Sequence, residues 1–328
     1  MTRVVAPSRL HFGLLSLPGN GPDRLPGVDG GPGQPVRHFG GVGLMVDRPG
    51  LAVRVEPADD WSAAGPLAPR ALAFAQRVTG SFPEKERRSF RITVEHAPPD
   101  HTGLGVGTQL GLAVAKAVAI ETGHDDWPAT ELALRVGRGE RSAIGVHGFD
   151  CGGLIVEAGK LAGEPISPLI GRFEFPPEWA VLLCAPRSGS NWHGGTEQLA
   201  FATLGRHGPS ATETDAMCRV VLTGLLPALV SADFDTFGEA LYELNARAGD
   251  AFAPVQGGRY GSPEVAACVA RLRAAGVHGV GQSSWGPTVF AVVRRDQVDP
   301  ITRAMNDLTV TQSAISRGAV VRLARVEA

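Results

Sequence analysis

Apolar and polar positions along the chain change period many times, and each change marks an element. "TRVVAPSRLHFGLL" opens as a strand, and "HFGGVGLMVDRPGLAVRVEP" resumes strand character with a turn at Pro49-Gly50. "RALAFAQRVTG" has helical spacing and ends at Gly80, and "SFRITVEHAPP" alternates as a strand that leads straight into a glycine-rich loop. Beyond the loop a helix is predicted from about Thr108 to Thr122, with Leu110, Val114, Ala117 and Val118 on its inner side. A helix near 128–139 and a strand over 152–159 follow. The second half predicts a strand "AVLLCAP", helices between about 196 and 249, a helix over 262–275, strands "GVHGVGQ" and "TVFAVV", a helix over 297–308 and a strand "GAVVRLARV". Strands and helices in this order predict an α+β fold, a small sheet with helices on one face. The segment 19–35, dense in Gly and Pro, predicts a surface loop.

With 328 residues and 43% hydrophobic content, the chain is long enough for two domains at roughly 150 residues each. A net charge of -2 and the lack of a long Lys/Arg block argue against nucleic acid or an anionic membrane as partner. The longest apolar run, "LGLAVAKAVAI", is shorter than the roughly 20 residues a bilayer requires and contains Lys116. Cys151, Cys184, Cys218 and Cys268 lie far apart without a CxxC pair, which suggests neither zinc nor a disulfide framework. No signal-peptide pattern precedes the first strand, and a cytoplasmic location is expected.

The chemistry concentrates in "HTGLGVGTQLGLAVAKAV", residues 101–118. Glycines before a helix let backbone N–H groups converge on an anion, and the helix dipole adds positive potential. The spacing is neither a Walker A loop nor a good dinucleotide fingerprint. A tight structural turn explains such a loop equally well.

The first strand's "APSRLHFGLL", the central glycine loop and the late "GQSSWGPTVFAVV" resemble, in order, the three motifs of the GHMP kinase superfamily. Within it, "FGGVGLMVDRP", "HTGLGVGTQLGLAVA", "GRGERSAIGVHGFDCGGLIVEAG", "VQGGRYGSPEV" and "GQSSWGPT" resemble the β-ribofuranosylaminobenzene 5'-phosphate synthases over nearly the whole chain. That resemblance implies a ribosomal-S5-like N-terminal domain, 1–165, and a ferredoxin-like C-terminal domain, 166–328. The activity it implies joins phosphoribosyl pyrophosphate to 4-aminobenzoate with loss of CO2 and pyrophosphate, in methanopterin biosynthesis. Mg2+ as cofactor and a homodimer are implied in the same way.

The same resemblance implies site residues. Gln109, Gln282, Ser283 and Ser284 are the catalytic candidates. Gly103, Gly105, Gly107 and Thr108 would cradle phosphates, while Ser8, Arg9, His11, Arg141, Trp285 and Thr288 would bind substrate. Bland alternatives stand beside them: Arg9 and His11 as strand-face residues, Arg141 in an ion pair with Glu140, and residues 282–285 as a packed turn. Asn191, His193 and Glu197 form a weaker match. In GHMP kinases an Asp stands seven residues before a Gly-Gly pair. Here Gly145 holds that position before Gly152-Gly153, and a glycine cannot serve as a base. The rival expectations are a small-molecule kinase with displaced catalytic residues and a catalytically silent binding protein; in another register Asp150, five residues on, would take the acidic role.

Overall fold

A computed structural model describes residues 1–17, 25, 31, 33–186 and 210–323. Most of the 19–35 loop lies outside these residues, as do Asn191, His193, Glu197 and the start of the helical stretch expected from 196.

Two sheets organise the chain. The first contains β1 (Thr2–Leu14), β2 (Gly41–Ala58), β3 (Ser62–Ala64) and β4 (Ser89–His96). To these it adds β5 (Leu154–Glu157), β6 (Leu169–Phe173) and β11 (Val320–Leu323). Its main path runs β11-β1-β2-β4-β3, and β5 pairs with the first half of β2 and carries β6 beyond it. The second sheet holds β7 (Trp179–Ala185), β8 (Gly279–Gln282), β9 (Val289–Arg294) and β10 (Thr309–Ser313), in the antiparallel order β10-β7-β9-β8. Helices between its first and second strands, and between its third and fourth, make a βαββαβ unit with the ferredoxin-like order.

Three differences from the sequence reading have physical causes. Pro49-Gly50 does not turn one strand into the next: Ala6 pairs with Leu51 and Ser8 with Val46, so residues 47–50 bulge out and both halves of β2 lie along β1. The region after the glycine loop holds three helices, α2 (Val106–Glu121), α3 (Ala129–Val136) and α4 (Ile144–Cys151). The sequence predicts only the first two, because α4 is eight residues of "IGVHGFDC" with no polar face to betray its period. Finally, β6 and β11, from the second half of the chain, complete the first sheet, and β10 closes the second where no strand is predicted.

Helix α2 starts two residues earlier than predicted, with Gly105 at φ 69° as its N-cap. It is buried almost all round, between the first sheet and α1 (Ala68–Gly80), α3 and α4, and Leu110, Val114, Ala117 and Val118 are fully covered. A helix of that kind needs small residues, and Ala and Gly supply them. The first core lies between this layer and the first sheet. The second is shared by Leu10, Phe12, Val42 and Leu44 of the first sheet, β7 and β9 of the second, and α5 (Ala211–Val220), α6 (Leu226–Val230) and α7 (Phe234–Gln256). The outer face of the second sheet is covered by α8 (Pro263–Ala274) and α9 (Val298–Ala304).

The irregularity at Ala6–Ser8 has a consequence for the site. Val4 and Ala6 belong to the first core, whereas Leu10 and Phe12 belong to the second. The strand has changed faces, and Arg9 and His11 are left on the glycine-loop side.

Asn245 of α7 joins the two sheets. Its Nδ2 donates to Phe12 O at 2.7 Å and Gln282 O at 2.9 Å, and its Oδ1 accepts from Gln282 N at 2.9 Å. Asn245→Ala strands buried backbone groups on both strands and should cost about 2–4 kcal/mol, read as a lower urea midpoint at unchanged slope.

Candidate active site

A cleft of about 300 Å³ opens where β1, the glycine loop, the 137–142 segment, α7 and the 282–286 turn meet. The loop's backbone is left-handed at His101 (φ 60°), Gly103 (φ 83°) and Gly105 (φ 69°), and it ends on the N-terminus of α2. Alternating handedness of this kind curls successive peptide N–H groups toward one concave face, and the helix dipole reinforces it. Four guanidinium groups line the same cleft, from Arg9, Arg70, Arg138 and Arg141, against the carboxylates Asp100 and Glu140. Arg70 comes from the first turn of α1 and pairs with Asp100. Gly107 admits it, since a Cβ there would stand 2.2 Å from the Arg70 guanidinium.

The late motif packs directly on this loop. Ser283 Oγ donates to Gly103 O at 2.7 Å and accepts from His11 N at 3.0 Å, while Ser283 N donates to Thr288 O at 2.9 Å. A Cβ on Gly286 would lie 2.1 Å from Gly103 N, and one on Gly103 would lie 2.2 Å from Ser283 O, so both positions require glycine. Trp285 meets Phe252 of α7 edge-on, with ring centroids 5.1 Å apart, and the two rings form an aromatic wall.

Of the residues singled out in the sequence, Arg9, His11, Gly103, Gly105, Gly107, Thr108, Arg141, Gln282, Ser284 and Trp285 line the cleft. Four others sit behind its wall. Ser8 Oγ donates to Pro49 O, Ser283 and Thr288 are buried in the contacts just described, and Gln109 is fully buried with Nε2 donating to Gly145 O at 2.7 Å. Gln282 combines both positions, since it borders the cleft while its Oε1 accepts from Gly261 N at 2.9 Å. Asp150 lies elsewhere and accepts from Ala129 N at 2.9 Å, at the start of α3.

Gln109 and Gly145 are sterically linked. A Cβ on Gly145 would meet Gln109 Nε2 at 3.1 Å, so the amide takes the space into which a longer side chain at 145 would project.

Sequence reasoning misses Arg70, Asp100, Asn245 and Phe252, which carry no motif, and Glu157. The signal for Glu157 was present, a carboxylate closing the apolar run "GGLIVE". It is 1% exposed; Ser142 Oγ donates to its Oε1 at 2.6 Å and Ala143 N to its Oε2 at 2.7 Å. Ser142 in turn meets His11 Nε2 at 3.2 Å. Burial lifts the Glu157 carboxyl to about 7, against the pull of its hydrogen bonds and Arg9. Burial first, and then Arg9, hold the His11 imidazole well below its usual range, so the ring is neutral at physiological pH.

Two sheets with a glycine-loop cleft lined by guanidinium-bearing residues define the class by fold, that of the GHMP enzymes. Residues 225–309 match the family described as GHMP kinases C terminal. Among solved structures, mevalonate pyrophosphate decarboxylase from Streptococcus pyogenes aligns over 97% of both chains with a TM-score of 0.68 at 11% identity. A putative homoserine kinase from Listeria monocytogenes aligns over 99% of this chain and 100% of that one, with a TM-score of 0.65 at 15% identity. At those identities the likeness shows the fold. Sequence relatives go further: the beta-ribofuranosylphenol 5'-phosphate synthase of Methanothermobacter thermautotrophicus is 32% identical, with 88% of each chain covered. Its namesake in Archaeoglobus fulgidus is 30% identical over 89% of this chain and 88% of the relative. The chain belongs to the β-ribofuranosylphenol 5'-phosphate synthase family, enzymes of the transferase type.

Glu157 makes stability depend on pH in a fixed direction. Its folded value is raised above the ordinary 4.5, so its contribution is fully present below about 4.5 and is lost as pH rises through about 7. Between pH 5 and pH 8, Glu157→Gln should therefore gain on wild type by on the order of 2–3 kcal/mol in unfolding free energy, measured by denaturant titration at each pH.

Proposed function

We propose that this enzyme transfers the ribosyl 5-phosphate of phosphoribosyl pyrophosphate to the carboxylate-bearing ring carbon of a para-donor benzoate, with CO2 and pyrophosphate leaving, as a step of methanopterin biosynthesis. The observation that carries the reading is the Gln109 amide against Gly145: the position of the kinase carboxylate has no acid, and the amide takes the space beside it. Phosphoryl transfer to an alcohol needs its proton accepted, whereas attack by a ring carbon that loses CO2 breaks no C–H bond.

The cleft suits both substrates. As the ribosyl C–O bond breaks, its electron pair leaves on pyrophosphate, and the glycine-loop N–H groups with Arg70 and Arg9 line the cleft as donors suited to that charge. Trp285 and Phe252 offer flat and edge surfaces for an aromatic acid, and Arg141 lines the same cleft as a cation suited to its carboxylate. The ring π electrons form the new C–C bond, and the electrons of the C–COO⁻ bond restore aromaticity as CO2 departs. Mg2+ takes oxygen ligands from one or two carboxylates and from substrate phosphates, and Asp100, now paired with Arg70, and Glu140 are the cleft carboxylates that would supply them. It would neutralise charge on the pyrophosphate when bound.

4-Aminobenzoate is the acceptor expected from the sequence. The phenol in the relatives' names favours a second reading, 4-hydroxybenzoate. With carboxyl-labelled acceptors, the expected result is one labelled CO2 per pyrophosphate formed from one or both benzoates. Label kept in a ribosylated product, or ADP formed from ATP and an alcohol, would overturn the reading.

Restoring the carboxylate with Gly145→Asp should displace Gln109, lower synthase turnover on the order of 10- to 1000-fold and confer no ATP-dependent transfer. Kinase activity in that variant would show that the missing acid alone separates the two chemistries.

A further inference from the structure

Behind the cleft wall, three side chains from three segments form a hydrogen-bonded row: His11 of β1, Ser142 before α4, and Glu157 at the end of β5. The row is closed at its inner end, where Ala143 N occupies the second carboxylate oxygen and Ser167 bonds the same group. At its outer end His11 and Ser142 border the cleft, and no described residue bonds His11 Nδ1. A hydroxyl between two such partners has one proton to give. When Glu157 is ionised, Ser142 donates to it, Ser142 Oγ accepts from His11 Nε2–H, and Nδ1 is left with its lone pair. When Glu157 is protonated, its own O–H can donate to Ser142, whose proton then turns to Nε2, and the ring must carry its hydrogen on Nδ1.

We propose that Glu157 is a positioning residue: through Ser142 it fixes the tautomer of His11, so that Nδ1 accepts a hydrogen bond from the para hydroxyl or amino group of the aromatic acceptor. This rests on the function proposed above and adds a role in acceptor choice. For a phenolic acceptor the consequence is chemical. Nδ1 takes the phenolic proton as the ring carbon attacks, the Nε2 proton moves to Ser142 and the Ser142 proton to Glu157. Loss of CO2 re-forms the phenolate, and the protons return along the same row. No proton is gained or lost overall. An amino group pushes electrons to the ring without losing a proton, so for 4-aminobenzoate Nδ1 supplies orientation alone.

The charged groups around the row support this division. Arg9 is the neighbouring cation whose field reaches both Glu157 and His11, and it opposes a second positive charge on the imidazole. His147 of α4 meets the Ser167 carbonyl at 2.8 Å, not the Glu157 carboxyl. The ring therefore stays neutral while the carboxyl titrates, and the titration can change the tautomer without changing the ring's charge.

The test reads the tautomer directly, by 15N NMR of ring-labelled histidine with His11→Gln to assign the resonance. In substrate-free wild type the pyridine-type nitrogen should pass from Nε2 to Nδ1 as pH rises through about 7, with the ring neutral throughout. Glu157→Gln keeps an acceptor for Ala143 N and gives Ser142 a donor, so it should hold the hydrogen on Nδ1 at every pH. Ser142→Ala should abolish the pH dependence. In turnover, Glu157→Gln should lower kcat/KM for 4-hydroxybenzoate on the order of 100-fold and for 4-aminobenzoate by less than about 10-fold, and flatten the pH profile of the former. A tautomer indifferent to pH and to both variants would overturn the proposal, as would equal losses with the two acceptors. The NMR titration needs no substrate, so it judges the row even where neither benzoate turns over, a result that would instead overturn the proposed function.

Discussion

The active cleft depends on one hydroxyl, that of Ser283. It accepts from the backbone of β1 at His11 and donates to the glycine loop at Gly103, so one buried atom ties the strand to the loop beside the direct bond from Arg9 N–H to Leu104 O. Peptide groups with no side chain between them approach closely, and the close contacts of Gly286 on Gly103 make that approach the tightest in the site. Without it the three left-handed residues would be tied to β1 through the bond from Arg9 N–H to Leu104 O at 2.9 Å alone. The late motif thus builds the cleft as much as the glycine loop does, although 180 positions separate Gly103 from Ser283.

This explains how legible the site was. The glycine loop could be read because its chemistry is local: glycines, then a helix. The late motif could be read only by resemblance, since nothing in "GQSSWGPT" says that Ser283 faces a loop far earlier in the chain. Gln109 and Ser8 have the residue types of a reactive site, and the structure puts their polar atoms on Gly145 O and Pro49 O behind the wall. Arg70 and Phe252 had no motif to mark them. They enter the cleft because α1 and α7 dock there, a tertiary fact that no spacing encodes.

The fold shows the same division. Strands β1, β2, β4, β7 and β9 carry strong period or apolar runs and are legible. Helix α4 and strands β6 and β10 are short, and their identity follows from the neighbours that pair with them or cover them. The ferredoxin-like order in particular rests on β10, a run of Thr, Val, Thr, Gln and Ser whose pairing with β7 decides its state.

Gly145 and Gln109 show how one frame can be turned from one chemistry to another. A carboxylate at 145 and an amide at 109 compete for the same volume, because a Cβ at 145 already stands within 3.1 Å of the amide nitrogen. The amide takes that space and donates to Gly145 O at 2.7 Å. The two positions are therefore one steric unit, and on the proposed function the frame would keep a cradle for phosphates without a base for an alcohol. What remains is a cleft lined by glycine-loop N–H groups and four arginines, in which the one buried acid among the described residues, Glu157, meets the cleft through Ser142 and a neutral histidine, an arrangement that would suit the leaving pyrophosphate of the proposed function.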